Sequence, residues 1–170
     1  MCYTDDARPP LPPISGAAAD HGETTLTASD GNKLAAYFAR AEKPTGAGMV
    51  VLPDVRGLHQ FYKELAQRFA EAGIDSIAID YFGRTAGIGD RSDSFEYMPH
   101  VQQTTPEGVA VDTAAAIAYL KSNDGGSVKS AWVMSLSDQM KMNARLNPPM
   151  SGSRPTRKKF LRLVKMCRRK

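Results

Sequence analysis

The segment GMVVLPDVRG, residues 48–57, decides the fold class of this chain. Residues 49–52 form an uninterrupted apolar run, which is typical of a strand buried on both faces of a parallel sheet. Pro53 ends that strand, because proline has no backbone N–H to donate to a neighbouring strand. In open α/β sheets the active site lies at the carboxyl ends of the strands. The loop that starts at Pro53 is therefore a candidate functional site.

A helix and a second strand follow this segment. Residues 61–72 place Phe61, Leu65 and Phe69 on one face, which is the spacing of an amphipathic helix. Residues 74–84 then contain a second buried strand. A strand, a helix and a strand in this order predict a βαβ unit with a right-handed crossover.

The next part of the chain repeats the alternation. Residues 105–122 predict a second long helix, with Thr105 as its N-cap and Pro106 at its first helical position. Residues 128–134 predict a third parallel strand. The intervening residues 83–104 show no hydrophobic periodicity and are predicted to be a loop. The layout predicts an α/β fold with a mostly parallel sheet and helices on both faces.

The charges divide the chain into two parts. Residues 1–140 hold 11 Lys and Arg against 18 Asp and Glu, whereas residues 141–170 hold 11 Lys and Arg and no acidic residue. We predict a flexible Pro-rich arm over 1–22, a folded domain over 23–137 and a basic, disordered tail over 138–170.

Composition also bears on location and metal binding. No apolar run approaches the roughly 20 residues of a membrane helix, and the N-terminus lacks the basic-then-apolar order of a signal peptide. Cys2 and Cys167 lie at opposite ends, which favours a reducing, cytoplasmic environment over a disulfide framework. The histidines are too far apart in sequence for metal-ligand spacing, so we expect no metal site; they are His21, His59 and His100.

The stretch LPDVRGLHQFYKELAQRFAEAGIDSIAIDYFGRTAG, residues 52–87, resembles the dienelactone hydrolase family of the α/β-hydrolases. The loop after the first strand, the helix and the second strand agree with the family in order and spacing, and the resemblance extends over about residues 1–133. It implies an α/β-hydrolase-like fold that is truncated in its C-terminal half. It also implies hydrolysis of esters or lactones by a triad of Cys or Ser, His and Asp, without a cofactor.

The resemblance assigns roles to three residues at the strand ends. The backbone N–H of Val55 matches the family's oxyanion-hole amide, and Asp54 matches an acidic residue near the nucleophile. Arg84 matches an arginine that holds a carboxylate substrate, for which a guanidinium fork is well shaped. From the residues alone, two other interpretations stay open: Asp54 caps the turn after its strand, and Arg84 is a solvated loop residue.

Ser137 occupies the position of the nucleophile. The family has glycines around this residue, which permit the tight, strained turn of the nucleophile, but this chain has Ser135, Gln139 and Met140 there. No histidine follows Ser137, and a serine without a positioned base is a weak nucleophile. His59 and His100 both precede it in the sequence. We therefore predict a dienelactone hydrolase-like protein that is catalytically inactive in this form.

Three functional hypotheses stay open. The first is a hydrolase whose C-terminus was replaced by a frameshift, an altered splice or an altered gene end. The second is a pseudoenzyme that binds small carboxylates at Asp54, Val55 and Arg84. The third is a binder of nucleic acid or acidic surfaces through the basic tail, although the chain has no aromatic interleaving or nucleic-acid module to support it.

We expect two kinds of partner. The first is a small-molecule ester, lactone or carboxylate. The second is another copy of the chain, because a third strand left at the sheet edge would be a template for pairing.

Overall fold

A computed structural model describes residues 8–9, 18–89, 91, 94–122 and 128–135. The predicted nucleophile Ser137 and the predicted basic tail lie outside these residues. Within the described ranges the elements follow in this order: β1 (Ala18–Thr27), β2 (Lys33–Ala41), β3 (Ala47–Leu52), α1 (Gln60–Glu71), β4 (Ile74–Ile79), α2 (Gly83–Ala86), α3 (Met98–Gln103), α4 (Pro106–Ser122) and β5 (Ser130–Ser135).

The described strands form one mixed sheet in the order β1-β2-β4-β3-β5. The strands β4, β3 and β5 are parallel to one another, and the hairpin of β1 and β2 adds antiparallel to β4. The amphipathic helix α1 packs on β2 and β4, and α4 packs against β4 and β3 from the opposite face. The predicted α/β fold with helices on both faces is confirmed.

The apolar run in β3 is continuous because both of its faces are buried. Met49 and Val51 belong to the core under α1, whereas Val50 and Leu52 belong to the core under α4. Successive side chains of a strand point to opposite faces, so a strand covered on both sides needs apolar residues at every position.

Two boundaries differ from the sequence predictions. β1 begins at Ala18, so residues 18–22, which we predicted to be part of the arm, belong to the sheet. Residues 83–104 were predicted to be a loop, but they contain the short helices α2 and α3. A helix of one or two turns is too short to display a hydrophobic period, and backbone pairing can extend a strand whatever its composition.

The topology brings the candidate loops together. After β3 the chain crosses through α1 to β4 on one side, and it later returns to the other side of β3 as β5. The carboxyl ends of these three strands therefore lie along one edge of the sheet, with Leu52 in register with Ser135. Such a switch in strand order opens a crevice for ligands in α/β sheets.

Gly83, at the start of α2, lies against the backbone of β2. A Cβ atom added there would lie 2.8 Å from the carbonyl oxygen of Lys33 and 3.1 Å from Cα of Leu34. We therefore expect Gly83→Ala to lower the free energy of unfolding by about 1–3 kcal/mol in denaturant titrations, because backbone atoms cannot move aside at low cost.

Gly22→Ala is the matched control, since its Cβ would lie 3.5 Å from the ring of Phe38, which is an ordinary van der Waals contact. We expect it to change the free energy of unfolding by less than about 0.5 kcal/mol. Equal effects of the two substitutions would contradict the packing argument.

Candidate active site

The loop after β3 is held at Asp54 through hydrogen bonds to both its backbone N–H and its carbonyl oxygen. The backbone N–H of Asp54 donates to the Tyr62 hydroxyl, at 3.1 Å. Its carbonyl oxygen accepts from the Tyr81 hydroxyl at 3.0 Å and from the backbone N–H of Gly57 at 3.1 Å. Tyr62 lies in the first turn of α1, and Tyr81 follows β4, so two neighbouring elements fix this loop.

The side chain of Asp54 is buried and accepts a hydrogen bond from within the same loop. Its Oδ1 accepts a hydrogen bond from the backbone N–H of Arg56, at 3.0 Å, which closes a local turn. This contact matches the interpretation that Asp54 caps the turn after its strand. Its role as an acid beside a nucleophile stays a prediction.

The backbone N–H of Val55 is a candidate donor to a ligand. It donates no hydrogen bond to any residue that the structure describes, and Val55 is only partly buried. The Asp54–Val55 peptide is trans, so this N–H points away from the carbonyl oxygen that Tyr81 and Gly57 hold. A fixed backbone donor of this kind can stabilise an oxygen that gains negative charge.

The loop after β4 contains a buried ion pair. Nε of Arg91 lies 2.9 Å from Oδ2 of Asp80, and both side chains are buried. Oδ1 of Asp80 also accepts a hydrogen bond from the backbone N–H of Phe82. Burial raises the pKa of the Asp80 carboxyl above its usual value, and the neighbouring Arg91 guanidinium opposes this rise.

This ion pair packs directly against the loop after β3. Gly57 has a φ of 75°, and a Cβ atom there would lie 3.0 Å from Cγ of Arg91 and 3.3 Å from Oδ1 of Asp80. A glycine is required because the backbone is left-handed and the space is filled. We did not predict Arg91, because it lies in a stretch without periodicity.

Arg84 is engaged on the other side of the sheet, with acidic residues of the protein. Its guanidinium contacts both carboxylate oxygens of Asp112, at 3.0 and 2.8 Å, and Oδ2 of Asp30 at 2.5 Å. It thereby connects α2 with α4 and with the turn between β1 and β2. These hydrogen bonds lower the pKa of Asp30 and raise that of Arg84. The predicted role of Arg84 in binding a carboxylate substrate stays a prediction.

The histidines that precede Ser137 pack among aromatic rings. His59 is the buried N-cap residue of α1, and its ring meets Tyr62 edge-on with centroids 4.8 Å apart. His100 lies on α3 and stacks on Phe95 at 5.1 Å. Ser137 lies outside the described residues, so its position relative to either histidine stays a prediction.

Two features are absent from the described residues. No group of three or more His, Cys, Asp and Glu side chains in this part of the chain could hold a metal ion. No helix among the residues described is long and apolar enough to cross a membrane.

The sheet, its covering helices and the strand-end loop with an available amide define an α/β-hydrolase fold. Residues 34–134 match the model of the dienelactone hydrolase family. This chain belongs to the dienelactone hydrolase family, which confirms the resemblance seen in the sequence.

Individual relatives agree with this assignment. A Yersinia pestis protein named as a carboxymethylenebutenolidase is 27% identical over 110 residues, which are 64% of this chain and 41% of that protein. A Klebsiella pneumoniae crystal structure described as a dienelactone hydrolase has a TM-score of 0.53 and 24% identity, and covers 68% of this chain and 49% of its own.

A third relative is P91, a dienelactone hydrolase-like promiscuous phosphotriesterase from metagenomic libraries. It has a TM-score of 0.55 and 21% identity, and covers 71% of this chain and 49% of its own. The two structures show the shared fold. The chain thus spans about half the length, or less, of the relatives that it matches.

The contacts of Arg84 predict a structural role that can be measured. Arg84→Met would leave the carboxylate of Asp112, which is fully buried, without its cation. We expect a loss of about 2–3 kcal/mol in the free energy of unfolding from denaturant titrations. The double variant Arg84→Met/Asp112→Asn should recover part of the loss, because it removes the buried charge.

Asp30→Asn is the control, because Asp30 is the exposed partner of the same guanidinium. We expect a much smaller effect from it, as for other exposed ion pairs. The explanation is wrong if Arg84→Met is harmless, or if Asp30→Asn costs as much.

Proposed function

We propose that this chain carries the carbonyl-binding side of a dienelactone hydrolase-type site for small esters or lactones. We also propose that the 170-residue chain does not hydrolyse them. The observation that carries the first part is the Val55 amide, which is available while the peptide that contains it is fixed by hydrogen bonds to its carbonyl oxygen.

Ester and lactone hydrolysis place negative charge on the carbonyl oxygen. Donors that are fixed in advance stabilise this charge without reorganisation during the reaction. Val55 lies three residues beyond Leu52, and Leu52 is in register with Ser135 at the end of β5. The position of this amide beside the end of β5 supports a role in binding the carbonyl of a substrate.

The charges around the loop favour a neutral ester or lactone over a free carboxylate. A carboxylate needs a cation, but Arg84 pairs with Asp30 and Asp112, and Arg91 pairs with Asp80. A carboxylate ligand at Arg84 or Arg91 would have to displace one of these acids. The hypothesis of a pseudoenzyme that binds small carboxylates therefore has less support.

The sequence supports the absence of turnover. In α/β-hydrolases the nucleophile, the acid and the histidine follow in that order along the chain. The last histidine of this chain is His100, which precedes Ser137, and no glycine lies within two residues of Ser137. Binding of nucleic acid or acidic surfaces by the basic residues 141–170 stays a prediction.

The first test is turnover of an activated ester. We expect the purified chain to hydrolyse p-nitrophenyl acetate no faster than buffer, and Ser137→Ala to give the same rate. Hydrolysis above the blank that disappears in Ser137→Ala would overturn the inactivity.

We further propose that the chain self-associates through β5. This strand is the last of the described sheet, and Ser130–Ser135 contains no charged residue and no proline. Val133 is 43% exposed. The opposite edge strand β1, in contrast, carries Asp20 and Glu23 and has an irregular register at its start. Charges and irregularities are the features that block pairing at sheet edges.

A charge in β5 should weaken this association. We expect Val133→Lys to shift the chain toward monomer in sedimentation velocity runs at several concentrations. Ile88→Lys is the control, because Ile88 is 54% exposed but lies outside the sheet. A wild-type chain that stays monomeric over the whole series would refute the proposal.

A further inference from the structure

Tyr81 acts on the peptide that presents the Val55 amide. Its side chain is buried, and its hydroxyl donates to the carbonyl oxygen of Asp54 at 3.0 Å. That carbonyl and the N–H of Val55 belong to one planar peptide group. The hydroxyl therefore binds the carbonyl oxygen of the same peptide whose N–H is the proposed donor to a substrate carbonyl.

The strand register explains why this contact forms. In the parallel pair of β3 and β4, Val51 lies opposite Ala78. Asp54 and Tyr81 each follow three residues later, so they reach the same level beyond the sheet edge. The ring of Tyr81 also packs against Phe82, with centroids 4.5 Å apart, and this contact restricts movement of the Tyr81 side chain.

A hydrogen bond to a peptide carbonyl has two effects on the N–H of the same peptide. It polarises the group, because linked hydrogen bonds strengthen one another. It also fixes the plane of the peptide and hence the direction of the N–H. The backbone N–H of Gly57 shares the carbonyl oxygen of Asp54, at 3.1 Å, and adds to both effects.

We propose that Tyr81 is a positioning residue for the Val55 amide, and that its hydroxyl orients and polarises this donor toward the carbonyl oxygen of a bound ester or lactone. The proposal rests on the proposed function for its ligand. The coupling of Tyr81 to Val55 can be observed without any ligand.

Tyr62 provides a matched control within the same loop. It is also a buried tyrosine whose hydroxyl contacts the backbone of Asp54, but it accepts from the N–H of Asp54. That N–H belongs to the preceding peptide, between Pro53 and Asp54. Tyr62→Phe and Tyr81→Phe thus each remove one buried hydroxyl, and the Tyr81 hydroxyl is the one that binds the carbonyl oxygen of the Asp54–Val55 peptide.

The first arm of the experiment uses the ligand-free, ¹⁵N-labelled full chain. We expect Tyr81→Phe to move the Val55 amide proton upfield, because the donor loses polarisation, whereas Tyr62→Phe mainly moves the amide of Asp54. Site-specific 3-fluorotyrosine at position 81, a stronger hydrogen-bond donor, should move Val55 downfield. This second replacement keeps the hydroxyl and the packing, so it gives a result even if Tyr81→Phe does not fold.

The second arm titrates δ-valerolactone and follows the same amide, with tetrahydropyran as the ring that lacks a carbonyl. In the wild-type chain we expect Val55 to move downfield with the lactone and not with the ether. Tyr81→Phe should weaken lactone binding by up to about five-fold, because the Val55 donor is kept but is less polarised and less fixed in direction. Tyr62→Phe should leave the affinity within about two-fold of wild type, because the peptide of Val55 is untouched.

The outcomes separate the two proposals. If the Val55 amide of the wild-type chain does not shift when lactone is added, the proposed function is wrong. The ligand-free arm still tests whether Tyr81 affects the Val55 amide. If Val55 responds to the lactone but neither replacement at Tyr81 moves its ligand-free amide or the lactone affinity, the role of Tyr81 is overturned while the proposed function stands.

Discussion

The parallel pairing of β3 with β4 determines which groups meet at the carboxyl edge of the sheet. Because Val51 lies opposite Ala78, the residues three positions further on, Asp54 and Tyr81, come within hydrogen-bonding distance. A shift of this register by one residue would separate them and turn every side chain of the strand to the other face. The shape of the loop after β3, and with it the available amide of Val55, follows from this pairing.

The sequence predicted the elements that local signals define. The apolar run at residues 49–52 and the periodic spacing of Phe61, Leu65 and Phe69 lie close to the observed β3 and α1. The buried face of α4 was less predictable, because Asp112 occupies it together with apolar residues. A buried aspartate is tolerated there because Arg84, 28 residues away, pairs with it and the side-chain amide of Asn32 donates to it. No local pattern reveals such a partner.

In the candidate site too, the residues that follow a local signal were predicted and those that depend on distant contacts were not. Asp54 and Val55 were predicted from their place after a buried strand and from the family resemblance, and both lie at the predicted strand end. Arg91 and the hydrogen bond of Tyr81 were missed, because they depend on contacts between two loops. The structure adds that two acidic groups of the protein bind the guanidinium of Arg84, and the substrate-binding role that the resemblance implies stays a prediction.

The central claim is that the loop after β3 is rigid and organised before any ligand binds. Native-state hydrogen exchange of the amides of Asp54 and Gly57 tests it most directly, because the first amide binds Tyr62 within this loop and the second binds the carbonyl oxygen of the Asp54–Val55 peptide. We predict that both open with free energies within about 2 kcal/mol of those of the core amides in β3, as expected for one cooperative unit. Exchange close to the intrinsic rate of an unprotected amide would contradict the account, because the Val55 amide would then have no fixed direction.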